Sequence, residues 1–355
     1  MTLTKNIISK SWRDSAALII LAKRRNEVSP RVNNGGRVNY DILLQTRTNT
    51  ASFANSVVFP GGVTEPIDGS QRWLTLLSTF GYSKRDFESF HHPGGPITPI
   101  FQEDPIQRHI QLRITAIRET FEELGLLICS RKHKKHRIGQ WADVIEDIDV
   151  AYWQNRIHKN PEDLLLLCEE QKCYPDLWSL NYWSNWLTPT TQKKRFNTAF
   201  FLAAVEQKPD INSNSEVTKV EWLTPAEALD GDRTLYPPQL YEINRLSHVK
   251  DIKKLIKFAN ERSRYDSELS FPVYVKVKDG ILHLLPGDDL YPTIVDYNDN
   301  TIKYIDKTIL ELRGSSKTLN RLEICENNRV FIIKNYKPEH HINMEDQIIG
   351  ARATV

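Results

Sequence analysis

A chain of 355 residues can form one large domain or two ordinary ones around buried cores. Lys plus Arg number 47 and Asp plus Glu 45, so no global field selects nucleic acid or an anionic membrane surface. Four cysteines (Cys129, Cys168, Cys173 and Cys325) include one C-x4-C pair with no second pair or histidine set beside it, which argues against structural zinc and a disulfide framework and suits a reducing compartment.

No apolar run reaches the roughly 18 residues that a membrane-spanning helix requires. The acid-free start with Lys5, Lys10 and Arg13 reads as a frayed terminus in preference to a mitochondrial presequence. Ser15 to Ala22 and Tyr40 to Thr46 are apolar runs of strand length around the turn residues Asn33-Asn34-Gly35-Gly36, an opening hairpin. A short strand at Ser56 to Phe59 enters Pro60-Gly61-Gly62, where glycines permit close backbone approach.

Residues 64–105 are broken by Pro66, Pro93, Pro96, Pro99 and Pro105 and read as an insertion with one short helix near Trp73 to Tyr82, expected beside the mouth of the active site. Ile106, Ile110, Ile114, Ile117 and Phe121 have helical spacing, closed by Gly125. After the basic loop Arg131 to Arg137, helices are expected around Gln140 to Val150 and Pro161 to Gln171.

The region from Leu177 to Val205 is β-rich, and Lys193-Lys194-Arg195 leads an aromatic strand, where Lys194 and Arg195 are phosphate-binding candidates against simple strand-end solvation. Glu216 to Leu223 is a further strand, followed by the helix start Thr224-Pro225-Ala226-Glu227 and a helical stretch from Gln239 to Ser263. Beyond Ser270 strands are expected at Val273 to Val277, Ile281 to Leu285 and Arg329 to Ile333. Two units follow: residues 1–265, and a β-rich extension at 266–355 that could pack within the same domain. His91-His92 and His340-His341 read as loop histidines, lacking a third ligand at metal-site spacing.

The chemistry concentrates in Arg118-Glu119-Thr120-Phe121-Glu122-Glu123-Leu124-Gly125-Leu126. Glu119, Glu122 and Glu123 stand at i, i+3 and i+4 and share one helical face. Like charges this close repel, and a hard divalent cation such as Mg²⁺ or Mn²⁺, bridging to substrate phosphates, relieves the repulsion. Arg118, four residues before Glu122, can orient that carboxylate or form an ordinary surface pair; the orienting role is preferred.

This spacing resembles the Nudix box, G-x5-E-x7-R-E-U-x-E-E-x-G-U with U a bulky apolar residue. Arg118, Glu119, Glu122, Glu123, Gly125 and Leu126 match its second half, while Thr120 replaces an aliphatic residue. Arg118 lies 56 positions after Gly62 where the box allows 14, so about 42 residues are inserted. Counted back from Arg118, the box's first glutamate falls on Ile110, with Glu65 or Glu103 as substitutes.

The split box, Phe59 to Gly62, Trp186-Leu187-Thr188-Pro189, Lys194 to Leu202 and Leu285-Pro286-Gly287-Asp288-Asp289-Leu290-Tyr291 together are similar to the nucleoside diphosphate-linked moiety X motif 19 proteins. The resemblance implies an α/β/α sandwich with a mixed sheet, and a peroxisomal acyl-CoA diphosphatase that releases adenosine 3′,5′-bisphosphate and (acyl) 4′-phosphopantetheine. It further implies Mg²⁺ or Mn²⁺ on Glu119, Glu122 and Glu123, an orienting Arg118, backbone approach at Gly61 and Gly62, and Glu216 as a further base or ligand. The terminal Ala353-Thr354-Val355 does not match a Ser-Lys-Leu address, which leaves cytosol or mitochondria open. Hydrolysis of another nucleoside diphosphate (ADP-ribose, NADH, a nucleotide sugar) and a silent nucleotide-binding domain are the alternatives.

Overall fold

The computed structural model describes residues 11–24, 38–49, 54–91, 98–134, 141–230, 233–265, 267–299, 301–326, 329–344 and 349–352. The turn at Asn33 to Gly36, His92 and the basic residues beyond Lys134 lie outside them. Arg13–Lys23 forms β1, buried from Ser15 to Ala22. A strand apolar on both faces must be covered on both sides. Ala16, Leu18, Ile20 and Ala22 enter one core, while Ala17, Ile19 and Leu21 enter a second across the sheet.

Antiparallel β2 (Tyr40–Arg47) lies along β1, with β3 (Val57–Val58) on its far side. β4 (Gly61–Val63) returns to β1, placing Gly62 opposite Ala16. The insertion then contributes α1 (Arg72–Thr79) and α2 (Lys84–Glu88) before α3 (Pro105–Leu124). Trp73, Leu77, Tyr82, Phe87, Phe90, Ile100 and Phe101 from the insertion are buried in the α3 core. Its large apolar side chains draw it there, so the insertion forms a wall of the main core rather than the rim expected of it.

The helix α3 begins at Asp104, whose side chain accepts from Gln107 N at 3.1 Å, continues through Pro105, and stops at left-handed Gly125 with φ 69°. After it come β5 (Cys129–Ser130), α4 (Val150–Lys159), α5 (Asp163–Glu170) and β6 (Tyr174–Pro175). The helix expected near Gln140 to Val150 begins only at Val150. Residues 141–149 run irregularly because their polar groups are engaged elsewhere: Ala142 N donates to Ala204 O, Asp143 pairs with Lys132 and Asp147 with Arg131.

β7 (Asn181–Leu187) and β8 (Phe196–Val205) form an antiparallel pair, and β8 lies parallel to β1 from Arg13↔Phe196 to Ala22↔Val205. β9 (Val217–Leu223) joins β2. α6 (Pro225–Leu229), α7 (Pro237–Ser247), α8 (Ile252–Arg262) and β10 (Leu269–Ser270) follow. The mixed sheet runs β10-β7-β8-β1-β2-β3, with β4 on β1 and β9 on β2.

A second sheet contains β11 (Val273–Val277), β12 (Gly280–Leu284), β13 (Lys303–Tyr304), β14 (Asn320–Cys325), β15 (Arg329–Lys334) and β16 (Ile349–Arg352), with α9 (Ile309–Ser315) beside it. Leu322, Ile324, Val330 and Ile332 share a core with Trp183, Trp186, Leu240 and Leu255. The C-terminal strands therefore pack on α7 and α8, and both sheets hold one hydrophobic layer between them.

Candidate active site

The last two turns of α3 face β4 and the turn after it. Arg118, 2% exposed, is the hub. Its Nε and Nη2 donate to Asp68 Oδ1 and Oδ2 at 2.9 Å each, a bidentate pair. Nη1 donates to Glu119 Oε1 at 3.0 Å and Glu122 Oε1 at 2.6 Å, and Nη2 also to Val63 O at 2.8 Å. Burial opposes the charge, but Glu119, Asp68 and Glu122 hold the guanidinium more firmly protonated than usual.

Asp68 is the residue that sequence reading missed. It is wholly buried and accepts from Thr115 Oγ1 at 2.8 Å and Glu65 N at 2.9 Å. It stands six positions after Gly62, at the G-x5-E spacing, so the insertion begins after the first acid and not before it. Counting forward from Gly62 finds it; counting back from Arg118 reaches Ile110, a core residue of α3.

Glu123 is held by Gln45 Nε2 at 2.7 Å and by Gly61 N at 3.0 Å, with Arg47 Nη1 at 3.6 Å. Gln45 and Arg47 are the polar end of a buried strand, a break in pattern legible in sequence. Gly62 lies so close to Glu119 that a Cβ would stand 2.4 Å from its carboxylate. Beyond the helix, Asn214 Nδ2 and Gln154 Nε2 donate to Glu122 O, and Asn214 N donates to Glu123 O.

The helix end is left with excess negative charge. Burial pushes Glu119 up to about 7, an effect reduced by Arg118 and increased by Glu122. Burial and Glu119 push Glu123 up to about 8 against Arg47, Gly61 N–H and Gln45. Glu122 is raised by burial, against Arg118. Among the described residues, the four acids Asp68, Glu119, Glu122 and Glu123 pair with two arginines, Arg118 and Arg47, with His158 at the edge of Glu122, so the donor set fits a hard divalent cation, which would replace the missing positive charge.

A cavity of about 910 Å³ opens on this end of the helix. It brings together Gly61, Gly62, Glu119, Glu123, Lys194, Arg195 and Glu216, but none of the described residues among 64–105. Arg118 and Glu122 stand behind the wall, with His158 Nδ1 3.8 Å from Glu122 Oε2. Glu216 is half-exposed, its carboxylate 4.0 Å from Arg47. Arg195 spends most of its donors on the fold: Nε on Thr188 O, Nη2 on Tyr297 O and Nη1 on Ser11 Oγ, with Trp12 stacked 5.3 Å away.

A mixed sheet flanked by helices, with a REx₂EE helix end set against a diglycine turn, defines a Nudix hydrolase, a class of enzymes that generally work with divalent metal ions. The NUDT19 Nudix domain model matches residues 12–246 and the NUDT19 C-terminal domain model residues 274–335, and the chain belongs to the NUDT19 family. The acyl-coenzyme A diphosphatase NUDT19 of Xenopus laevis is 33% identical across 94% of this chain and 96% of its own length. The Homo sapiens protein of the same name is 29% identical across 95% and 96%. A Nudix hydrolase structure from Alicyclobacillus acidocaldarius aligns with TM-score 0.48 at 20% identity, over 69% of this chain and 96% of that one.

Proposed function

We propose that this chain hydrolyses the diphosphate of coenzyme A or acyl-CoA to adenosine 3′,5′-bisphosphate and (acyl) 4′-phosphopantetheine. The observation that carries the reading is the charge-starved carboxylate set at the wall of a large cavity, in a chain whose full-length relatives bear the name acyl-coenzyme A diphosphatase. Glu119, Glu122 and Glu123 would hold Mg²⁺ or Mn²⁺, which when bound neutralises phosphate charge and activates water.

The remaining work falls to the protein's own groups. Arg118, fixed by Asp68, sets the carboxylates of Glu119 and Glu122, and Gly61 N–H sets that of Glu123. Gly62 leaves room for the Glu119 carboxylate. Glu216, on the cavity wall near Arg47, takes the proton from the attacking water. Arg13, Lys194 and Arg195 supply positive charge for phosphates along the wall, and Trp186, Tyr236 and Tyr274 supply flat apolar surface for the rest of the substrate.

The test is a panel of CoA, acyl-CoAs, NADH and ADP-ribose with Mg²⁺ or Mn²⁺, with products identified by mass. CoA esters should be split at the diphosphate, and Glu122→Gln and Glu123→Gln should each remove most turnover without unfolding the chain. Preferential cleavage of NADH or ADP-ribose would overturn the substrate, and normal rates in both variants would overturn the site.

A further inference from the structure

Cys129, Cys168 and Cys173 are separated in sequence, and the C-x4-C pair alone argued against a metal. The fold adds the third sulfur. Cys168 sits in the last turn of α5; Lys172 takes a left-handed conformation with φ 50° and turns the chain back, so that Cys173 N donates to Cys168 O at 2.9 Å. β5 lies antiparallel to β6, with Cys129 opposite Pro175, which brings Cys129 over the same turn. All three Sγ atoms lie within 4.8 Å of one another, and all three residues are fully buried.

Three sulfurs bound to one cation at about 2.3 Å stand roughly 3.8 Å apart, so little movement is needed to bind one. Cys129 and Cys168 both direct S–H bonds at Cys173, so the three sulfurs already converge on one point, and Arg131 lies nearby. Arg131 is anchored by Gln171 O and Asp147 and would offset the negative charge of a three-thiolate site. Fully buried sulfur ligands favour soft d¹⁰ ions over the hard cation suited to the glutamates.

We propose that Cys129, Cys168 and Cys173 bind one thiophilic cation, zinc or copper(I), that pins β5, β6 and the end of α5 together. The full chain, purified under reducing conditions without chelator, is analysed for metal by mass spectrometry, then stripped and titrated with Co²⁺ in excess Mg²⁺, which competes for carboxylates but not thiolates. Expected are about one zinc or copper per chain, the recovered element deciding between them, and a thiolate-to-cobalt band saturating at one equivalent. Cys325→Ser keeps both signals and Cys173→Ser loses both. If Cys173→Ser does not fold, protection of the three thiols from alkylation by the bound metal in the unsubstituted chain decides the matter. No metal and no band, a disulfide between two of the three, or an unchanged band in a folded Cys173→Ser would each overturn the proposal.

Discussion

Gly61 and Gly62 are neighbours with different duties, and one added methyl group separates them. At Gly61 a Cβ would meet Ala16 O at 2.3 Å, backbone against backbone in the middle of the sheet, at φ 152°. At Gly62 the three nearest atoms would all belong to the carboxylate at the end of the Glu119 side chain. Gly61→Ala should therefore lower the melting temperature sharply, whereas Gly62→Ala should leave it within a few degrees and abolish most turnover. Equal melting temperatures for the two would refute this division. Asp68 makes a third case: removing its charge breaks the bidentate pair and leaves Arg118 to Glu119 and Glu122, and breaking a buried pair costs up to about 3–5 kcal/mol. Asp68→Asn should show a loss of that order in urea unfolding, together with lower activity, whereas a surface-like effect below about 1 kcal/mol would mean the bidentate pair is not the anchor.

Elements with their own local signals were legible in the sequence. Pro105 and Gly125 bracket α3, Thr224 and Glu227 close a capping box on α6, and the unbroken apolar run of β1 marks a strand. What was not legible depended on distant partners. β5 and β6 are two residues each and exist only because they pair with each other, and the trio of cysteines meets only once that pair has formed. Within the site, the glutamates were readable from helical spacing, but Asp68 was hidden by the insertion that follows it, and Gln45 and Asn214 act through folded contacts. The length of α3 separates its two ends, which makes a prediction about the element as a whole. Asp104 caps the N-terminus, 20 helical residues from the other end of α3 and its carboxylates. Asp104→Ala should cost about 1 kcal/mol of stability and leave kcat unchanged in saturating substrate; a fall in kcat at full occupancy of the folded state would show that the helix transmits strain along its length.

At the scale of the molecule, the second sheet is fastened to the first through a layer that contains a misplaced charge. Lys334, on β15, is 3% exposed, and its Nζ has no hydrogen-bond partner among the described residues. It is surrounded by Arg245, Glu242 and Glu268 and by the rings of Tyr241 at 5.5 Å and Tyr336 at 5.9 Å. Burial, and then Arg245, bring its pKa down to about 7 from an ordinary value of 10.5, against the pull of Glu242 and Glu268. Between those two values the unfolded chain binds a proton that the folded chain does not, so stability rises with pH across that interval and is lowest below pH 7. Lys334→Met keeps the apolar stem, already packed on the tyrosines, and deletes the charge. The variant should be more stable than the natural chain at pH 6, with a smaller advantage at pH 9, as read from urea midpoints at the two pH values. An advantage of the same size at both would mean that the ammonium reaches water and that the layer between the sheets is looser than its burial indicates.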